Sequence, residues 1–475
     1  MKEFCKGRSG LAPNGKAPKG ALVLPALLLL ATACVQVEPS SDFAKARGLV
    51  QASTGAEHVF DPESAALSDG DIDEIIADGL SLDEALHLAL VNNRGLQAAF
   101  QEIGIAHADW VQSRLLSNPS FDALLRFPSE GGRAMAEGNI GLELLQLWRI
   151  PLRRDAARGE LEAKVLEIAR RAGEQFADAK GAYFTAVASA ELHAVALENV
   201  ELATASFEAI RSLHRSGAAD AFDENLARGP LLTAQLELQT TRIKASNAMR
   251  ELGKQLSLLG AMDHVVLTDS LPLGVQISGE TEPLVELALD SRLDLKAFEA
   301  AIMSLDTKVR LEERRAWGDL AAGPSVERPA GPEGRLLGPS LSLTLPIFDQ
   351  NQAQVARAGY ELERMVKLHE SARIAVAQDV RSAVDRLASA SKALEFYADE
   401  LLPQTQNSLA LARASYAAGR STLATLMEVQ RQLLEARRAH VLLQLEAATA
   451  QSELGRVLGI ELEGLLPNTA TGVIR

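Results

Sequence analysis

Few residues in this chain have the type and setting to do chemistry, and Cys34 is the clearest. It directly follows a short apolar run, ALVLPALLLLATA (residues 21–33), and Lys2, Lys6, Arg8, Lys16 and Lys19 lie upstream. A basic segment, a short apolar segment and then small residues are the layout of a secretory signal. ATAC has the pattern of a bacterial lipobox, in which the thiol is acylated and the cysteine becomes the new N-terminus. Ala31 departs from the leucine usual three places before the cysteine, and Leu30 stands one step earlier. The alternative is ordinary cleavage nearby, which leaves a free thiol. Cys5 lies inside the signal, so Cys34 is the single cysteine of the mature chain and an internal disulfide is excluded.

Other chemistry is harder to find. The eight histidines are scattered, with no pair at helical i, i+4 spacing and no cysteine partners, so no metal site and no cofactor is expected. GLAPNGKA from Gly10 imitates a phosphate-binding loop, but it lacks Ser or Thr after Lys16 and lies within the signal. No nucleophile–base set or carboxylate pair stands out among the surface charges, so an enzyme is not expected. Lys and Arg number 48 against 63 Asp and Glu, a net charge of −15, which excludes the basic face of a nucleic-acid binder.

The elements that must position any function are long. No stretch after the signal reaches about 18 apolar residues, so a transmembrane helix is not expected and any membrane crossing must use barrel strands. The sequence repeats at a spacing of about 200 residues. LALVNNRGLQA from Leu88 matches LALDSRLDLKA from Leu287, and ARGELE from Ala157 matches AGYELE from Ala358. Gly217 matches Gly419, and Leu259-Gly260 matches Leu458-Gly459. Residues 35–80 read as a polar, irregular lead. A helix capped by Ser81 then runs unbroken to just before Asn118-Pro119. From Pro151 to Ser216, the stripe Leu161, Val165, Ile168, Ala172, Phe176, Ala179, Tyr183 and Val187 predicts one very long helix. A second rod is predicted from Gln352 to Ala418, with a kink or junction at Pro403. Each rod turns at its glycine and returns.

Each repeat also carries candidate strands. Ser340, Ser342 and Thr344 alternate with Leu341, Leu343, Leu345 and Ile347, and Ile140, Leu142 and Leu144 alternate with Gly141 and Glu143. SFDALLRF from Ser120 and a segment near Pro324 are the weaker partners, and the stretch between Pro324 and Pro339 reads as an exposed loop. Four strands cannot close a barrel, which needs about eight, and open edges cannot face lipid. Several chains must therefore share one barrel.

LDEALHLALVNN from Leu82, LPIFDQNQA from Leu345 and LPQTQNSLALARASYAAGRSTLATLMEVQ from Leu402 resemble the TolC family of outer-membrane efflux proteins. Asn351-Gln352 is similar to the branch that serves heavy-metal pumps. The resemblance implies a mainly α fold with a membrane β-barrel contribution. Long antiparallel helical hairpins would form a periplasmic tunnel, and a homotrimer would close a twelve-strand barrel from four strands per chain. Residues 1–33 would be signal, 34–80 the lipidated lead, 81–270 and 271–466 the two repeats, and 467–475 a tail. The implied partners are outer-membrane lipid, a periplasmic adaptor and an inner-membrane pump, with metal cations or small toxic compounds as cargo. Gly217 and Gly419 would mark the tips that the adaptor grips. The family's gate positions fall on Glu428, Thr425 and Asp223. An Arg420–Asp223 pair would hold the tip shut, and a ring of three Glu428 carboxylates would raise their apparent pKa. A lipid-anchored coiled-coil scaffold is the competing reading, which the alternating strands and the repeat disfavour.

Overall fold

A computed structural model describes residues 36–462, apart from 66, 261, 263, 273–279 and 332–333. The signal, Cys34 and the 467–475 tail lie outside the described residues. Helices dominate. In order they are α1 (Ser40–Thr54), α2 (Asp69–Ile76), α3 (Leu82–Val91), α4 (Arg94–Ser113), α5 (Leu145–Arg215), α6 (Ala221–Gln255), α7 (Glu282–Ser291), α8 (Leu293–Arg315), α9 (Gln352–Phe396), α10 (Leu402–Ala417) and α11 (Leu423–Leu458). Strands β1 (Ser120–Arg126) and β2 (Met135–Glu143) lie between α4 and α5, and β3 (Leu320–Arg328) and β4 (Leu336–Leu343) between α8 and α9. Among the described residues no helix is long and apolar enough to cross a membrane.

The lead is more ordered than its polarity suggests. Its helix α1 buries Phe43, Ala46 and Val50 in the main core, and His107 on α4 meets Asp42 at 2.6 Å. Three apolar residues at helical spacing were enough to dock a short helix that looks polar by composition.

Ser81 caps α3 as expected, with Glu84 completing a capping box. The helix does not run on to Asn118, however. It stops at Asn92, and Asn93 starts α4 by accepting from the Leu96 N–H at 2.9 Å. The two asparagines are needed at this corner. Asn92 Nδ2 donates to the Leu256 carbonyl and Asn93 Nδ2 to that of Gln255, each at 2.9 Å. They satisfy carbonyls at the end of α6 that have no helical partner of their own. The α7–α8 corner does the same for α11, where Ser291 Oγ donates to the Leu458 carbonyl and Arg292 Nη1 to that of Val457.

The predicted rod is α5, which has 71 residues and so a length of about 106 Å. It begins six residues before Pro151, and every residue of the predicted stripe is buried. Tyr183 is completely buried, with its hydroxyl donating to the Leu80 carbonyl at 2.9 Å. The second rod is interrupted as its proline predicted. Pro403 cannot donate to the preceding turn, and a π turn at Tyr397–Leu401 takes up the mismatch between α9 and α10.

The strands form one antiparallel sheet in the order β1-β2-β3-β4. The segment from Pro324 to Pro339 is mostly strand rather than loop, because both prolines sit inside strands opposite one another. β4 also ends at Leu343, so the Leu345–Ile347 part of the alternation lies beyond it.

The corner makes a measurable prediction. Asn93→Ala removes both the cap of α4 and the Gln255 contact, and should cost about 1–3 kcal/mol. Asn93→Asp keeps the cap acceptor but loses the donor, so its thermal unfolding in detergent should fall between wild type and Asn93→Ala.

Candidate functional site

The sheet is the first part of the site, and its register decides its character. Pairing places Phe121 opposite Ile140, Gly138 opposite Val326, Val326 opposite Leu337 and Ala322 opposite Leu341. Directly opposed residues share a face. One face therefore carries Phe121, Leu125, Ile140, Leu142, Leu320, Val326, Leu337, Leu341 and Leu343. The other carries Asp122, Arg126, Glu137, Asn139, Glu143, Ser325, Glu327, Ser340 and Ser342. Arg328 interrupts the apolar face; Leu124, Met135 and Leu336 interrupt the polar one. Phe121, Leu125, Leu337 and Leu341 are each more than 60% exposed, a degree of apolar exposure that marks an interaction surface. Four acids against one base give the polar face a negative sign. Among the described residues, strands β1 and β4 each have one side unpaired within the chain.

The two helical tips are the second part, and they share one construction. Gly217 and Gly419 adopt φ of 78° and 69°, the left-handed region open to glycine. At each tip the next N–H reaches back five residues, Ala218 to the Leu213 carbonyl and Arg420 to that of Ser415, both at 2.9 Å. This closes the preceding helix. Three residues past each glycine comes the cap of the returning helix, Asp220 for α6 and Thr422 for α11. The six-past positions, Asp223 and Thr425, are thus the third residues of these helices. Their N–H groups bond Asp220 Oδ1 at 2.8 Å and Thr422 Oγ1 at 3.2 Å.

The side chains expected to act together at the tips are placed differently within one chain. The Asp223 carboxylate faces the Asp220 N–H as the second half of a capping box, and Arg420 has no ion-pair partner among the described residues. The structure does not bring this pair together in one protomer. Glu428 is held by Arg431, with Oε1–Nη2 at 2.6 Å and Oε2–Nε at 3.0 Å, and accepts from Gln432 at 3.0 Å. The Arg431 hydrogen bond lowers the Glu428 pKa below the usual carboxylate value, the opposite of the upward shift expected of a ring of bare carboxylates. Sequence reading stopped at the acids and missed the arginine three residues on, although i, i+3 spacing is a readable signal. At the first tip, Glu224 lies 3.8 Å from His214 and 4.0 Å from Arg211.

Among the described residues no group of three or more His, Cys, Asp or Glu could hold a metal.

Comparison with known proteins fits this geometry. The sequence pattern of the outer membrane efflux proteins matches residues 85–256 and 284–460. The chain is 22% identical over 381 residues to the cobalt-zinc-cadmium resistance protein CzcC of Cupriavidus metallidurans, covering 80% of this chain and 90% of that protein. It is 26% identical to the nickel-cobalt-cadmium resistance protein NccC of Alcaligenes xylosoxydans xylosoxydans over 64% of this chain and 69% of that one. The fold superposes on CusC, a protein that forms a transmembrane channel, with a TM-score of 0.66 at 18% identity, covering 80% of this chain and 92% of that chain. The sheet, the long hairpins and the matched pattern together place this chain in the outer membrane efflux protein family.

Proposed function

We propose that this protein is the outer-membrane channel of a tripartite efflux system, a passive exit duct with no chemistry of its own. The observation that carries the reading is the two-faced, four-stranded sheet with both edges open. An apolar outer face and a polar inner face are what a barrel wall requires, and open edges are not tolerated in lipid. Three copies supply twelve strands and remove every edge. The two hairpins then extend from the barrel as a tunnel, with Gly217 and Gly419 at the far tips where an adaptor docks and couples the duct to an inner-membrane pump. In this reading the two matched segments are copies of one unit, and acylation of Cys34 adds a lipid anchor.

The cargo proposed is metal cations or small toxic compounds, a choice supported by the names of CzcC and NccC. The negative polar face of the sheet suits cations. At the tip, three Glu428–Arg431 pairs surround the narrow end. Asp223 would meet Arg420 across a protomer boundary by giving up its capping contact with the Asp220 N–H. Thr425 lies one turn from Glu428.

Fractionation should place the mature chain in the outer membrane as a trimer. A monodisperse soluble monomer of the mature chain, obtained without detergent, would end the proposal. Cys34→Ser should abolish fatty-acid labelling while barrel insertion persists.

Glu428 supplies a test with a pH arm. Its pKa is lowered, so the carboxylate stays ionised when the pH falls from 7 to 5. Cation selectivity in planar bilayers should therefore hold across that range. Glu428→Gln should reduce it at both pH values. Selectivity that stays at the wild-type value in Glu428→Gln would show that Glu428 does not set it.

A further inference from the structure

Immediately below the sheet, two helix ends carry an aromatic and cationic band that the channel reading leaves unused. α5 departs from β2, and α8 leads into β3. The Leu144 N–H bonds the Leu320 carbonyl at 2.8 Å, and Arg149 bonds Asp319 at 2.7 Å, so the two helix ends are tied together. Two of the chain's three tryptophans meet here. Trp148 and Trp317 stand edge to face at 6.5 Å, and they are 44% and 68% exposed. The Arg314 guanidinium lies 4.6 Å over the Trp148 ring.

The first turns of α5 have an ordered exposed stripe. Leu147, Pro151, Arg154 and Arg158 are all exposed at spacings of four, three and four, which puts them on one face. The stripe changes from apolar to cationic over about 10 Å as it leaves the sheet. Within residues 145–158, four arginines stand against one aspartate, in a chain whose net charge is −15. Arg154 pairs only with its neighbour Asp155, and Arg158 has no ion-pair partner among the described residues. Helical side chains lean toward the helix N-terminus, so both arginines tilt back toward the sheet.

We propose that Trp148 and Trp317 with Arg154 and Arg158 form a collar that binds anionic phospholipid headgroups in the periplasmic leaflet of the outer membrane. Tryptophan sits at the boundary between headgroup and acyl chain because it is part apolar and part polar. Arg154 and Arg158, about two and three turns further along α5 than Trp148, lean back toward the sheet and reach the phosphate, with their methylene stems along the apolar surface. The stripe itself runs from apolar Leu147 and Pro151 to cationic Arg154 and Arg158, with the two tryptophans beside its apolar end, and that order follows the order of a bilayer interface. Leu144, next in register opposite Leu320, carries the apolar face of the sheet to the start of α5, and this continuity fixes the lipid as the occupant. The inference rests on the reading of that sheet as a barrel wall.

The test uses the full mature chain with Trp110→Phe, which leaves Trp148 and Trp317 as the only tryptophans. The protein is reconstituted in phosphatidylcholine vesicles containing either brominated phosphatidylglycerol or brominated phosphatidylcholine, and tryptophan quenching gives the relative association of the two lipids. Both lipids should quench, with phosphatidylglycerol favoured. The Arg154→Gln/Arg158→Gln double variant should lose that preference by about fivefold or more, with quenching by brominated phosphatidylcholine unchanged. Equal quenching by the two lipids in the wild type overturns the collar and leaves the barrel reading intact. A preference that survives in the double variant overturns the role of these arginines. No quenching by either lipid overturns the membrane reading itself, and the collar with it.

Discussion

A sheet edge presents N–H and C=O groups that must be bonded, and hydrocarbon offers nothing to bond them. This constraint organises the rest of the molecule. Four strands with one largely apolar face and open edges cannot stand alone in lipid or comfortably in water. The register that puts Phe121, Ile140, Val326 and Leu337 on one surface also puts Asp122, Glu137 and Glu327 on the other. The same pairing therefore separates an apolar surface from one that carries four acids, while the outer strands keep open edges among the described residues.

The helices meet a different requirement. A helix of 71 residues keeps a fixed direction only if its base is held rigidly. That holding is done by corners. Asn92 and Asn93 close the end of α6, Ser291 and Arg292 close the end of α11, and Tyr183 ties α5 to Leu80, which forms a parallel bridge with Leu267. Each contact ends on a backbone carbonyl, and at the two helix ends satisfying that carbonyl and fixing the hairpin are one event. Lys180 extends the pattern, joining α5 to Glu461 just past α11 at 2.6 Å while almost fully buried.

At the tips the geometry is local and modest. A glycine in the left-handed region, a carbonyl five residues back and a cap three residues on build both turns from near-identical parts. The side chains differ between the two, Asp223 at one and Thr425 at the other, so any gating chemistry is decorated onto a common frame. Glu428 carries Arg431 with it, which makes the charge near this tip a pair rather than a bare carboxylate.

Much of this was legible in the sequence because its causes are local. Periodicity marked the buried stripe of α5, Ser81 and Glu84 marked a cap, Gly217 and Gly419 marked the turns, and Pro403 marked the break in the second rod. Each depends on residues within about one helical turn of one another, or on one periodic pattern. The residues that the tertiary structure decided depend on distant partners. Asn92 and Asn93 read as helix until the end of α6, more than 160 residues away, supplied the carbonyls they bond. The lead read as irregular until α5 offered a surface for Phe43 and Val50. Pro324 and Pro339 read as loop until they were placed across from each other in the sheet. The faces of the sheet were the least readable of all, because alternation within one strand says that two faces exist, and only pairing between strands decides which residues share one.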